Sequence, residues 1–285
     1  MSSDRILHDQ QQVYMFGERL RGVQSCTASW SAPETYVNSI GVAGGTIGTT
    51  VEESLRADFE VERLMITPHD PLVNLFDSTD LSGEIHYGSG SDNFAFNGGF
   101  IGAYSCSCAV GEIPSLNFSI TAYGESGGSV ASLGRSAEVD DTIIIAHPGS
   151  ISLDVDGHAS NAIQSFEVSI NIDRSPVNVI GQLTPAHFIT TFPIEVDCQF
   201  TLNVQDYESS SLFDFVCNPK KQNLNFQFMD CANQQEVRKF FIPSAKLVDY
   251  SQTALVNSDL QATFTYKSLV TNIQNIKKIL EGATF

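Results

Sequence analysis

Apolar and polar side chains alternate with a period of two along most of this chain. From Ser165, SFEVSINI puts Phe166, Val168, Ile170 and Ile172 on one side and Glu167, Ser169 and Asn171 on the other. From Ile194, IEVDCQFTLNV sets Ile194, Val196, Cys198, Phe200, Leu202 and Val204 against Glu195, Asp197, Gln199, Thr201 and Asn203. ESLRADFEVER sets Leu55, Ala57, Phe59 and Val61 against Arg56, Asp58, Glu60 and Glu62. SLNFSITAY (115–123) alternates through Leu116, Phe118, Ile120 and Ala122, and DLQATFTY (259–266) through Leu260, Ala262, Phe264 and Tyr266. Runs of this length with one apolar side predict long, half-buried antiparallel strands. GEIHYG and NLNFQFM read as further strands. Pro193, with no amide to donate, marks a ladder start or a bulge. Helical spacing is rare. It appears in VTNIQNIKKILEG, where Ile273, Ile276 or Lys277, and Leu280 share a face and Gly282 can end a short C-terminal helix or arm. The segments around Leu75-Phe76-Asp77 and Leu212-Phe213-Asp214 are each compatible with a short helix.

The pattern is written twice. VQSCTASWSAPETYVNSIG (23–41) and IQSFEVSINIDRSPVNVIG (163–181), aligned without a gap from Gln24 and Gln164, coincide at Gln, Ser, Ser, Val, Asn, Ile and Gly. A match at fixed offset marks an internal repeat. The later strands follow in the same order in each half, with an offset that drifts from 140 to 144. GESGGSVASLGRSAEVDD (124–141) is rich in Gly and Ser and reads as the linker. The expected organisation is all-β: two tandem antiparallel β-sandwich or barrel domains, 1–128 with an N-terminal arm and 129–285 with a C-terminal helix or arm, with long hairpins and few short helices. Asp156-Gly157 predicts a tight hairpin turn.

Charge adds the strongest compositional signal. Fifteen Lys and Arg against 33 Asp and Glu give a net charge of −18 over 285 residues. No basic stretch interleaved with aromatics is present, which argues against specific nucleic-acid binding. No run reaches the apolar length of a membrane span, and the first twenty residues show no secretory h-region. Six cysteines without a CxxC pair are expected to be reduced and packed, with Cys106 and Cys108 on one strand face.

Candidate chemistry is sparse. Gly124-Glu125-Ser126-Gly127-Gly128 fits GxSxG, but SVASLGRS is a poor helix and a nucleophile elbow needs one directly after it. The six histidines form no HExxH. His69-Asp70-Pro71 and His147-Pro148 read as turns. DVDGH (154–158) has only the start of a calcium loop. GVAGGTIG (41–48) lacks the lysine of a phosphate cradle and reads as a mobile loop. Trp30, the single tryptophan, is expected to anchor a core or an interface. No catalytic residue, cofactor site or metal site is expected.

A strand of eleven residues spans roughly 35 Å, and its edge amides need partners. One solution is closure with neighbouring subunits into a shared barrel with a wet inner face. The run QSFEVSINIDRSPVNVIG…FPIEVDCQFTLNVQDYESSSLFDF, with FFIPSAKLVDY and LQATFTY after it, resembles the tail tube proteins of long-tailed bacteriophages; GEIPSLNFSITAYGE has the same texture in the first half. The resemblance covers about 150–268 well and 23–124 more loosely. It implies a virion tail protein, assembled in the host cytoplasm, that forms oligomeric rings stacked into a large β-barrel channel for the genome, with sheath, tail terminator and baseplate proteins as possible neighbours and DNA passing without specific binding. Family rings are usually built from six such domains, so a chain with two suggests a homotrimeric, pseudo-hexameric ring, with a hexamer as the alternative. Glu167, Asp173, Glu195 and Asp197, with Asp58 and Glu60 from the first copy, are then the expected lumen-facing residues, an acidic wall that repels a passing duplex. The alternative reading of each is an ordinary carboxylate on an outward sheet face. The C-terminal arm, 270–285, is expected to bridge rings. Competing readings are a tail-hub or tube-adaptor protein near the tail tip, the tube of a contractile secretion system, and a carbohydrate-binding or hydrolysing β-sandwich of the tail tip. The last would need exposed aromatic clusters or a close carboxylate pair.

Overall fold

A computed structural model describes residues 11–32, 34–38, 41, 46–51, 55–66, 70–87, 93–124, 126–127, 146–155, 158–160, 162–182, 184–203, 221–230, 236–254 and 260–283. The first half holds β1 (Gln11–Met15), β2 (Glu18–Arg19), β3 (Val23–Ser31), β4 (Glu34–Asn38), β5 (Thr46–Val51), β6 (Arg56–Leu64), a 3-10 turn (Pro71–Leu75), β7 (Leu81–Tyr87), β8 (Asn93–Ala109), β9 (Ser115–Ala122) and β10 (Ser126–Gly127). The second holds β11 (Ala146–Val155), β12 (His158–Ser160), β13 (Ile163–Asn171), β14 (Arg174–Val177), β15 (His187–Thr190), β16 (Ile194–Asn203), β17 (Gln222–Asp230), β18 (Glu236–Thr253), β19 (Gln261–Val270) and helix α1 (Ile273–Glu281). The fold is all-β, and every ladder among the described residues is antiparallel.

The halves repeat one topology. The first pairs its strands in the order β2-β1-β7-β8-β9-β6-β3 and the second in the order β12-β11-β17-β18-β19-β16-β13. Hairpins β4–β5 and β14–β15 leave the sheet at matching places. Irregularities repeat too. The extra residue between Val23 and Ser25 is Gln24, and its counterpart between Ile163 and Ser165 is Gln164. Gly102 bulges from β8 against β9 as Val248 does from β18 against β19. The long strands bend at Gly98 (φ 65°) and at Ser244 (φ 52°), both left-handed, where β8 shifts register on β7 and β18 on β17. A bulge bends its strand and re-aims the residues beyond it. Each long strand therefore serves two sheet segments. The residues before the bend pair with β7 or β17, and those beyond Gly99 or Ala245, the last to reach those strands, pair with β9 or β19. A core fills the space between, with Phe59 against Phe94 and Phe96 in one half and Phe166 against Phe226, Phe228 and Phe240 in the other.

The ladders correct the sequence alignment at its end. Phe118 faces Val61 and Tyr104 in the first half as Phe264 faces Phe200 and Tyr250 in the second. Phe118 thus corresponds to Phe264, an offset of 146 rather than the 144 read from the sequence. A two-residue slip leaves period-two alternation unchanged, so only hydrogen-bond register can set it. Leu55 and Leu260, assigned to apolar faces, lie just outside β6 and β19 and are exposed. The glycine-rich stretch read as a mobile loop contributes Thr46–Gly48 to β5, and His147-Pro148 lies within β11, not in a turn. Val155 pairs with His158; Asp156-Gly157 itself, like Leu212-Phe213-Asp214 and most of 124–141, lies outside the described residues. Ladder β16 begins at Ile194, directly after Pro193.

Helix α1 forms where the spacing predicts it. The Asn272 side chain accepts from the Gln274 amide at 3.0 Å, and Gly282 closes the end in the left-handed conformation. Its buried face, Ile276, Ile279 and Leu280, packs on β18 and on the 3-10 turn of the first half. The apolar face that motivated a ring-bridging role for this segment is thus covered within the chain.

Candidate functional site

The polar sides of the repeated strands join into one surface. Its strand order is β3-β6-β9-β8-β13-β16-β19-β18, and the halves are fused where β13 pairs with β8 from Ser165 opposite Ala109 to Asn171 opposite Ala103. Side chains on one face of neighbouring strands stand side by side. One row therefore runs through Ser25, Glu62, Asn117, Ser105, Ser169, Asp197 and Lys267. The opposite face of the same strands carries the core. An open trough of about 530 Å³ lies on this surface, with Glu60, Glu62, Asn117, Ser105, Glu167 and Asn171 among its lining.

The surface gathers most of the carboxylates singled out in the sequence. Asp58 and Glu60 stand on β6, Glu167 on β13, and Glu195 and Asp197 on β16. Asp173 is exposed but lies past the end of β13, where its carbonyl accepts from the Thr191 amide at 2.9 Å. The face is not uniformly anionic, because two cations stand among its carboxylates. Lys267 Nζ lies 2.9 Å from Glu195 Oε2 and 3.2 Å from Asp197 Oδ1, and these two partners raise the lysine pKa. Arg56 pairs with Asp58 at 2.9 Å, and Thr121 donates to the same carboxylate at 2.8 Å. Glu60 and Glu167 remain exposed on the face. Register brought Lys267 beside Asp197; no local pattern could have announced it.

A second feature escaped the sequence altogether. Asp70, placed in a turn, is buried at the meeting of both halves. Its carboxylate lies 2.7 Å from Arg63 and 3.6 Å from Arg238, and accepts from the Tyr104 hydroxyl at 2.9 Å and the Leu72 amide at 3.1 Å. Burial alone would raise its pKa, but Arg63 and Arg238 overcome that and hold it below the usual carboxylate range. Arg174, at the start of β14, donates to the carbonyl oxygens of Ser78 (3.1 Å) and Phe76 in the first half and lies 5.3 Å from the Phe100 ring. These contacts fix how the two units meet.

Two edges of the surface are open. Among the described residues, β3 pairs only with β6, and the 249–253 portion of β18 pairs only with β19. Their counterparts β13 and β8 are each paired on both sides. Trp30, counterpart of Ile170, shows the difference: it is 60% exposed, where Ile170 is fully buried.

Ser126 of the GxSxG stretch sits in β10, opposite Phe96 of β8. No cluster of metal-ligating side chains occurs among the described residues. Burial raises the thiol pKa of Cys106 and Cys198 and pushes Cys26 and Cys108 up to about 11, so these four stand protonated at neutral pH.

No protein-family model matches the chain, and no curated protein matches it. Among solved structures, the chain is similar to Hcp1 from Flavobacterium johnsoniae over 42% of this chain and 93% of that one, at 17% identity and a TM-score of 0.27. At that level of likeness, any functional reading rests on the ladders and faces of this chain itself.

Proposed function

We propose that this protein is a structural, non-enzymatic tube subunit of the kind that forms the tail conduit of long-tailed bacteriophages. Copies join side by side into rings, and rings stack around a bore. The observation that carries the reading is the single polar surface that crosses both halves and ends at two strand edges that have no ladder partner among the described residues. A monomer gains nothing from leaving such edges open; a closed ring removes them. The two repeated units act as tandem domains, 1–128 and 129–285, and three chains supply six similar units per ring. Glu60, Glu167 and their neighbours line the bore and repel phosphate, while Lys267 stays tied to Glu195 and Asp197 and presents little free positive charge. The particle is a virion tail, assembled in the host cytoplasm.

The test is electron microscopy of the purified protein with mass measurement in solution. Hollow rings or filaments with three-fold symmetry are the expected result. Monomers at every concentration overturn the reading, and six-fold rings of intact chains replace the trimer with a hexamer.

A further inference from the structure

We propose that the chain carries a template for its own intermolecular contact: β3 of one copy adds antiparallel to residues 249–254 of the next copy, in the register that β13 already adopts on β8. The inference rests on the assembly reading above and adds its atomic register.

The repeat makes the mapping definite. The matched bulges equate Ser25–Ser31 of β3 with Ser165–Asn171 of β13, and Asp249–Thr253 of β18 with Ala103–Ser107 of β8. Within the chain, Glu167 faces Ser107, Ser169 faces Ser105, Ile170 faces Tyr104 and Asn171 faces Ala103. Transferred to the open edges, Thr27 faces Thr253, Ser29 faces Ser251, Trp30 faces Tyr250 and Ser31 faces Asp249 of the neighbour. Polar residues meet on the wet side, so the surface continues unbroken from copy to copy. On the apolar side the exposed Trp30 ring meets Tyr250, which already packs on Phe264 at 5.0 Å. Cross-strand aromatic pairs of this kind stabilise a ladder. A second copy is the fitting occupant because each edge finds its complement only on another molecule of the same chain. Both edges follow the strand course of an interface the chain already makes.

The register is tested by disulfide trapping. Ser29→Cys with Ser251→Cys, in a Cys26→Ala background, sets thiols on directly opposed residues, within reach of a disulfide. Thr27→Cys with Asp249→Cys is the control, four residues out of register and separated by about 13 Å along the strand. Under mild oxidation the first pair should convert most of the protein to covalent dimers and trimers on a non-reducing gel, and the control about tenfold less. Rings that form without cross-linking at the first pair overturn the register and leave the tube reading standing. A chain that stays monomeric overturns both.

Discussion

Asp70 and Arg238 approach to 3.6 Å across the junction of the two halves, with Arg63 at 2.7 Å on the other carboxylate oxygen. All three are almost fully buried. Removing the carboxylate leaves two guanidinium groups in the interior, so Asp70→Asn should cost about 3–5 kcal/mol of stability, read as a lower urea midpoint at pH 7. The pH dependence follows from the depressed pKa. The stabilisation is present above the unfolded value, about 3.9, and is lost as pH falls through the lower folded value. The gap between wild type and Asp70→Asn should therefore narrow below about pH 4. A gap independent of pH would refute the charged assignment.

Helix α1 belongs to the fold of the chain. Leu280 is fully buried between that helix and its neighbours, and Leu280→Ala should destabilise the isolated subunit by about 2–5 kcal/mol. Thermal melting of unassembled protein measures this; a variant with wild-type stability that fails only in stacking would reinstate the bridging role.

Gly83 sits where a β-carbon would lie 2.6 Å from Met15 Sδ and from a Phe96 ring carbon. Gly83→Ala overpacks this core and should cost about 1–3 kcal/mol. Gly48, in β5, has open space at the same position, so Gly48→Ala should leave stability within about 0.5 kcal/mol. Equal melting shifts for the two would contradict the packing.

Trp30 presents its ring to solvent at an unpaired edge. Trp30→Glu should leave the folded subunit within about 0.5 kcal/mol of wild type while lowering the fraction assembled at a given concentration. Analytical ultracentrifugation beside a melting curve separates the two effects; a lower melting point with unchanged assembly would place Trp30 in the core instead.

Glu60, Glu62 and Glu167 are the exposed acids of the trough, and Glu62 accepts from the Ser25 hydroxyl. Wild-type protein should not retain duplex DNA even at low salt, whereas Glu60→Lys with Glu167→Lys should bind it with an affinity that falls steeply as salt rises. Filter binding across a salt series reads this directly. Tight retention by the wild type would defeat the repulsive wall.

Sequence alone determined the long alternating strands, because period-two alternation is a local property of a half-buried β-strand; the start of β5 and part of β11, read as a loop and a turn, lack that signal. Phe166 through Ile172 and Ile194 through Leu202 were placed on the correct faces, and the repeat was visible from Gln24 and Gln164. In both copies that repeated glutamine stands at a bulge. Helix α1 was legible for the same reason, since its caps and its apolar spacing lie within a dozen residues.

Tertiary structure decided what distance in sequence conceals. It moved the equivalence of Phe118 from Ala262 to Phe264, because alternation cannot sense a two-residue slip. It brought Lys267 beside Glu195 and Asp197, and buried Asp70 among Arg63, Tyr104 and Arg238, through contacts between distant segments that carry no local signal. It also showed β13 paired with β8 while β3 and the end of β18 remain open. Which edges stay unpaired is set by the order of strands in space, and backbone hydrogen bonds leave no mark on side-chain alternation.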